Sequence, residues 1–205
     1  MKVVILKYNA GNIQSVSFAL ERLGINFSIS DKVEEIQSAD KVIFPGVGEA
    51  GTTMNYLKSK GLDQVIKNLK QPVLGICLGM QLMCAHSEEG DTPCIGIFDE
   101  NVKKFIPSKE NKVPHIGWNQ LSRLKDWPAD LPEGSSVYFV HSYYVPVNQY
   151  TTAITSYSVP FSAAMRKDNF YAVQFHPEKS SLIGETILKN FLNIKDNEPI
   201  NRQAS

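Results

Sequence analysis

The sequence predicts an α/β fold: a mostly parallel central sheet flanked by helices, with antiparallel strands added in the second half. Three observations carry this expectation. Near-continuous apolar runs at Val3-Val4-Ile5-Leu6, Lys41-Val42-Ile43-Phe44 and Pro72-Val73-Leu74-Gly75-Ile76 read as strands buried on both faces. Apolar residues between these runs recur at helical steps, so strand and helix alternate. After about Pro93 the pattern changes to short runs separated by turn residues.

Taken in order, Val3–Leu6 is the first strand, too short for the apolar core of a signal peptide. Ile13, Val16, Ala19, Leu20 and Leu23 then mark a helix, with Asn12 placed to cap it and Gly24 to end it. Leu62, Val65, Ile66 and Leu69 mark a second helix between the next two strands. Met80-Gln81-Leu82-Met83-Cys84-Ala85 is a good helix former directly after the third strand. Val137–Val140, Ala153–Thr155 and Tyr171–Phe175 are the strand candidates of the second half. A last helix is expected from Leu182 to Leu192, with Ile183, Ile187, Leu188 and Phe191 on one face.

A chain of 205 residues fits one domain, expected over residues 1–195 with a polar tail at 196–205. Lys plus Arg and Asp plus Glu each count 21, so there is no strong positive field of the kind nucleic acid binding uses. No apolar run approaches the length of a membrane span, and a cytoplasmic location is expected. Cys77, Cys84 and Cys94 are odd in number and lack zinc-site spacing.

Gly75-Ile76-Cys77-Leu78-Gly79 follows a buried strand and precedes a helix former, the cysteine version of a nucleophile elbow. Such a turn exposes the side chain at a helix N-terminus, where the dipole favours thiolate, and offers the Leu78 amide to a developing oxyanion. A buried cysteine in a glycine-rich strand end is the competing reading. His176 and Glu178, flanking Pro177 at the end of an apolar strand, supply a base and its orienting acid. A third strand end, Phe44-Pro45-Gly46-Val47-Gly48, offers amides that could complete an oxyanion hole, although a plain turn has the same composition. Cys84 reads as a small core residue, His86 as a solvated side chain and Trp127 as a turn anchor.

Together, Pro45-Gly46-Val47-Gly48, Gly75-Ile76-Cys77-Leu78-Gly79-Met80-Gln81 and Phe175-His176-Pro177-Glu178 resemble the class I (triad) glutamine amidotransferases in order and spacing. Val113-Pro114-His115-Ile116-Gly117-Trp118-Asn119 and Phe139-Val140-His141-Ser142-Tyr143 narrow the resemblance to the glutaminase subunits of imidazole glycerol phosphate synthases.

That resemblance implies the sandwich fold of the family and a Cys77-His176-Glu178 triad acting on L-glutamine without metal or organic cofactor. It implies an oxyanion hole at Gly46, Val47 and Leu78, and glutamine held by Gly48, Gln81 and Glu89. A heterodimer with a (β/α)8-barrel cyclase follows, the ammonia passing through a shielded channel, with Asn12, Trp118, Asn119, Tyr138, His141 and Ser142 at the interface. The turn Lys7-Tyr8-Asn9-Ala10-Gly11-Asn12 departs from the family pattern at Lys7 and Asn9, which keeps a second pathway open: a paralogous glutaminase feeding surface-sugar amidation. A cysteine peptidase on a similar sheet and a non-catalytic subunit with a vestigial triad are the readings from other classes. The retained Gln81 weighs against the first and the complete triad against the second.

Overall fold

The computed structural model describes residues 1–8, 12–46, 48–128 and 131–195, so the expected polar tail at 196–205 lies outside the described residues. The first half runs β1 (Val3–Leu6), α1 (Ile13–Arg22), β2 (Phe27–Ser30), α2 (Val33–Gln37), β3 (Lys41–Phe44), α3 (Ala50–Ser59), α4 (Leu62–Lys67), β4 (Val73–Ile76) and α5 (Leu78–Leu82). The second half opens with the short strands β5 (His86–Ser87) and β6 (Thr92–Pro93) and with β7 (Asn101–Lys104). The hairpin strands β8 (His115–Gln120) and β9 (Ser136–His141) follow, then β10 (Tyr143–Tyr144), β11 (Thr151–Ser156), β12 (Pro160–Lys167), β13 (Phe170–Val173) and α6 (Ser181–Leu192).

Several boundaries differ from expectation for local reasons. Helix α1 ends as expected: Gly24 sits at φ +69, and the amides of Gly24 and Ile25 bond the carbonyls of Glu21 at 2.9 Å and Leu20 at 3.0 Å. Its start corrects the sequence reading, because Asn12 holds the N-cap position at φ 74 but its side chain makes no cap bond. Helix α5 is shorter than the run Met80–Ala85 suggests. The amides of Ile95, Gly96 and Ile97 take the carbonyls of Leu82, Cys84 and Met83 at 2.8–2.9 Å, so an incoming strand of chain satisfies the groups that would continue the helix. Helix α3, with no apolar stripe to announce it, is nucleated by the Glu49 carboxylate accepting from Gly51 N at 2.8 Å and Thr52 N at 2.7 Å.

The main sheet has seven strands in the order β11-β12-β13-β4-β3-β1-β2. Strands β13, β4, β3, β1 and β2 are parallel, and β12 and β11 extend one edge antiparallel. Alternate residues feed two cores. Val4, Leu6, Val42, Phe44, Val73 and Ala172 pack with α2, α3, α4 and α5, whereas Val3, Ile5, Ile43, Leu74, Ile76 and Val173 pack with α1 and α6. No helix among the described residues is long and apolar enough to cross a membrane.

Crossovers place the C-terminal ends of β1, β3, β4 and β13 along one edge, where open α/β sheets build sites. Helix α6 crosses beneath the segment after β13 at Gly184, where an added Cβ would strike the carbonyl oxygen of Pro177 and lie 2.7 Å from its carbon. Gly184→Ala is therefore expected to cost about 1–3 kcal/mol in chemical denaturation, because the obstacle is backbone and cannot rotate away.

Candidate active site

Strand β4 ends at Ile76, and Cys77 turns the chain at φ 52, ψ −106 before α5 begins. That conformation costs a side-chain-bearing residue free energy, and its neighbours are arranged to permit it. A Cβ at Gly79 would strike the Phe44 carbonyl oxygen, and one at Gly75 would lie 2.9 Å from Met83 Sδ. A Cβ at Gly46 would come within 2.5 Å of Gly79 N and 2.6 Å of Leu78 Cβ. The glycine turn after β3 therefore rests directly on the elbow, and only glycines let the two backbones approach so closely. Tyr8 holds that turn from the other side: its buried hydroxyl donates to the Pro45 carbonyl, and burial raises its pKa far above the usual phenol value, with Cys77 adding to the rise. Gly48 is exposed at φ 143, and Val47 lies outside the described residues.

The partners of Cys77 come from β13. Parallel pairing runs from Phe170 opposite Val73 to Val173 opposite Ile76, and Cys77 N continues the ladder by donating to Val173 O at 2.8 Å. Gln174 then stands abreast of Cys77, and His176 and Glu178 follow. His176 Nδ1 and Glu178 Oε1 are 2.7 Å apart with both side chains fully buried, so Nδ1–H donates and Nε2 is left to serve the sulfur. Nε2 has no formed hydrogen bond, Cys77 acting on it mainly through charge; catalytic contacts of this kind tighten on substrate binding.

Burial opposes a charged imidazole here and is the largest single influence on His176. Cys77, acting first through its charge, and then Glu178, through its hydrogen bond and charge, overturn it and lift the pKa from 6.5 to about 10. His176 is thus an imidazolium at neutral pH, paired with Glu178 through Nδ1 and facing the sulfur of Cys77.

Asn12, expected at the partner interface by resemblance, is half-buried and donates from Nδ2 to Glu178 Oε1. The bond explains why its side chain does not cap α1. Gln174 and His115, members of motifs in the sequence, were given no site role there. Gln174 is fully buried, its Nε2 lying 3.6 Å from Cys77 Sγ and its Oε1 accepting from Gln81 Nε2 at 3.0 Å. The signal for it was a glutamine continuing the apolar run Tyr171-Ala172-Val173.

A cavity of about 280 Å³ opens over Cys77, sized for a small ligand, and is lined by Gly48, Leu78, Gln81, Glu89, Pro114, Val140, His141, Ser142 and Tyr143. Leu78 begins α5, so its amide has no helical carbonyl to bond. Glu89 Oε2 accepts from Ala50 N at 2.9 Å; burial raises its pKa, the Ala50 amide opposes that and Glu49 adds to it. His141, expected at the partner interface, has a buried side chain that lines this cavity.

His141 Nδ1 donates to Tyr143 O at 2.7 Å, which makes its Nε2 the acceptor for His115 Nδ1 at 3.0 Å. Burial pushes His115 down to about 4 and His141 to about 3. For His141 the bond to Tyr143 O works against this, and His115 and His176 reinforce it. Both rings are neutral at pH 7, so the chain has one polarity. Outside it, Trp118 is 56% exposed opposite Tyr138 in the β8–β9 hairpin, with Asn119 and Ser142 half-buried nearby.

The other thiols are inert by environment. Burial raises Cys84 well above its usual value, with Cys94 and Glu100 adding to it, and pushes Cys94 up to about 12, Lys58 opposing and Glu89 adding. His86, read as solvated, pairs with Asp91 at 2.9 Å, and Trp127 packs edge-on against Tyr171 at 5.3 Å. Among the described residues, no cluster of three or more His, Cys, Asp or Glu could hold a metal ion.

Because the folded pKa of His176 lies above its unfolded value, its charge contributes stability that is fully present below pH 6.5 and lost as pH rises through about 10. Cys77→Ala removes the first of the raising influences and leaves burial in place. The ring of His176 followed by NMR should then titrate well below the wild-type value near 10, and an unchanged titration would contradict the ion-pair account.

The glutamine amidotransferase class-I family model matches residues 5–194. The chain is 62% identical over 196 residues to the imidazole glycerol phosphate synthase subunit HisH of Bacteroides thetaiotaomicron, covering 95% of this chain and all of that one. It is 62% identical over 199 residues to the subunit of the same name in Bacteroides fragilis strain YCH46, with 95% and 100% covered. Among solved structures, PurLQS from Thermotoga maritima superposes with a TM-score of 0.64 over 94% of this chain and 97% of that chain, at 16% identity, a likeness of fold alone. With a nucleophile elbow at Cys77, a buried histidine–carboxylate pair beside it and these matches spanning nearly its whole length, the chain belongs to the class I glutamine amidotransferases.

Proposed function

We propose that this chain is the glutaminase subunit of an imidazole glycerol phosphate synthase, one domain over residues 1–195 that hydrolyses L-glutamine and passes the ammonia to a cyclase. The observation that carries the reading is the placement of Cys77 and the His176–Glu178 pair at the ends of adjacent strands, above a cavity that also holds Gln81, Glu89 and Gly48. Its chemistry fits a neutral amide with a charged amino-acid head. The Cys77 thiolate attacks the carboxamide carbon, and the electron pair displaced onto oxygen is met by the Leu78 amide and by amides of the Gly46-Val47-Gly48 segment. Imidazolium His176 gives its proton to the departing ammonia. Water, deprotonated by His176, then cleaves the γ-glutamyl thioester, releasing glutamate and returning the sulfur as thiolate beside the imidazolium. Glu89 is positioned to attract the substrate ammonium, and Asn12 and Glu178 keep the imidazole aligned.

The partner surface in this proposal is the outer face of the β8–β9 hairpin, where Ile116 and Trp118 are 61% and 56% exposed beside Tyr138. Tyr138 is fixed to the triad segment by two bonds: its carbonyl accepts from His176 N and its amide donates to Ser180 Oγ, both at 2.9 Å. A (β/α)8-barrel cyclase seated there would sit close to the released ammonia, in the cytoplasm with the rest of a biosynthetic pathway. Lys7 and Asn9, which depart from the family turn, favour surface-sugar amidation as the second reading; the substrate of the barrel that co-purifies with this chain separates the two.

Cys77→Ala should abolish glutamine-dependent synthesis by the complex and leave ammonium-dependent synthesis intact, measured as product formation with each nitrogen donor. Glutamine acting as donor in that variant would overturn the reading.

A further inference from the structure

Beyond the triad, one buried polar side chain bridges the nucleophile to a residue of the substrate cavity. Gln174 is 0% exposed, directly follows β13, and stands beside Cys77 because the β13–β4 register continues past Val173 and Ile76. Its Nε2 donates to Cys77 Sγ across 3.6 Å, and its Oε1 accepts from Gln81 Nε2 at 3.0 Å. The second proton of Gln81 Nε2 goes to Tyr143 O, also at 3.0 Å, and the same carbonyl accepts from His141 Nδ1 at 2.7 Å. This pattern fixes both amides. Reversing Gln174 would set its oxygen against the sulfur and its NH2 against the NH2 of Gln81; reversing Gln81 would set two carbonyl oxygens together.

We propose that Gln174 is a positioning residue of the glutaminase reaction: one amide holds Cys77 Sγ in its attacking position while locking Gln81, and with it the substrate cavity, in register with that sulfur. The inference rests on the glutaminase reading. A fixed N–H donor aimed at the sulfur favours the anionic form in which it attacks, and in this water-poor interior such a bond gains strength. His176 addresses the sulfur as proton partner, whereas Gln174 cannot exchange a proton at neutral pH. Its contribution is therefore geometric and electrostatic, and it acts on the thiolate and on Gln81 together.

The test uses the full chain bound to its cyclase partner, with Gln174→Met, which keeps length and loses both polar contacts, and Gln174→Glu, which keeps shape and sets a carboxylate against the sulfur. Cys77 alkylation by iodoacetamide, followed by peptide mapping across pH, is expected to shift its midpoint upward by about one pH unit in Gln174→Met. Gln174→Glu should shift at least as far. Glutamine turnover should fall about tenfold or more in kcat/KM, with KM rising as Gln81 is released.

Alkylation profiles in both variants identical to wild type would overturn the inference. If either variant fails to fold, the side-chain amide resonances of Gln174 in wild type decide: they should move when Cys77 is alkylated, and their failure to move would overturn it. A wild-type complex that is alkylated normally yet hydrolyses no glutamine would instead sink the glutaminase reading, leaving the alkylation profiles to judge Gln174.

Discussion

The parallel pairing of β4 with β13 is the constraint on which the site depends. The two strands lie far apart in sequence, yet Val73–Ile76 opposite Phe170–Val173 decides which residue follows abreast of Cys77. A one-residue slip would exchange the two core faces, moving Leu74, Ile76, Tyr171 and Val173 against the wrong helices. Burial on both faces thus fixes the register, and the register sets Gln174 beside the sulfur and carries the chain on to His176. The reacting groups are placed by the interior of the sheet, with short loops adding little freedom of their own.

Two opposing costs are balanced at this edge. Cys77 occupies a backbone region that side chains avoid, and the turn is held by close backbone contact with Gly46 and by α5 packed behind it. His176 is buried where a charge is disfavoured, and the sulfur and Glu178 together reverse that preference. Asn12 adds a donor to Glu178, so the carboxylate serves two partners through one oxygen. Farther out the same low-dielectric interior has the opposite effect on His115 and His141. With no anion beside them they are kept neutral, and their hydrogen bonds act as fixed struts between the hairpin and the cavity.

The fold was legible where apolar runs were long or periodic: β1, β3, β4, α1, α4 and α6 all carry such patterns. It was illegible where local chemistry replaced pattern. Strand β2, Phe27-Ser28-Ile29-Ser30, is a short edge strand, and α3 opens Ala-Gly-Thr-Thr, depending on the Glu49 cap and on packing. At the site, Cys77, His176 and Glu178 could be read because nucleophile, base and acid have recognisable sequence surroundings. Gln174 and the attachment of Asn12 to Glu178 could not, since both depend on pairing between segments more than ninety residues apart. The burial of His141, expected at a partner interface, was not legible in its motif, which it shares with exposed neighbours; strand alternation turns it inward with His115.

The most direct test of the central claim is a covalent map of the nucleophile. The complex would be treated with a glutamine analogue bearing a diazoketone in place of the carboxamide, then digested and read by peptide mass spectrometry. The account predicts a single label on Cys77, formed in step with the loss of glutamine turnover and sharply slowed in His176→Ala. Label on Cys84 or Cys94, or full glutamine turnover by a protein labelled at Cys77, would contradict it.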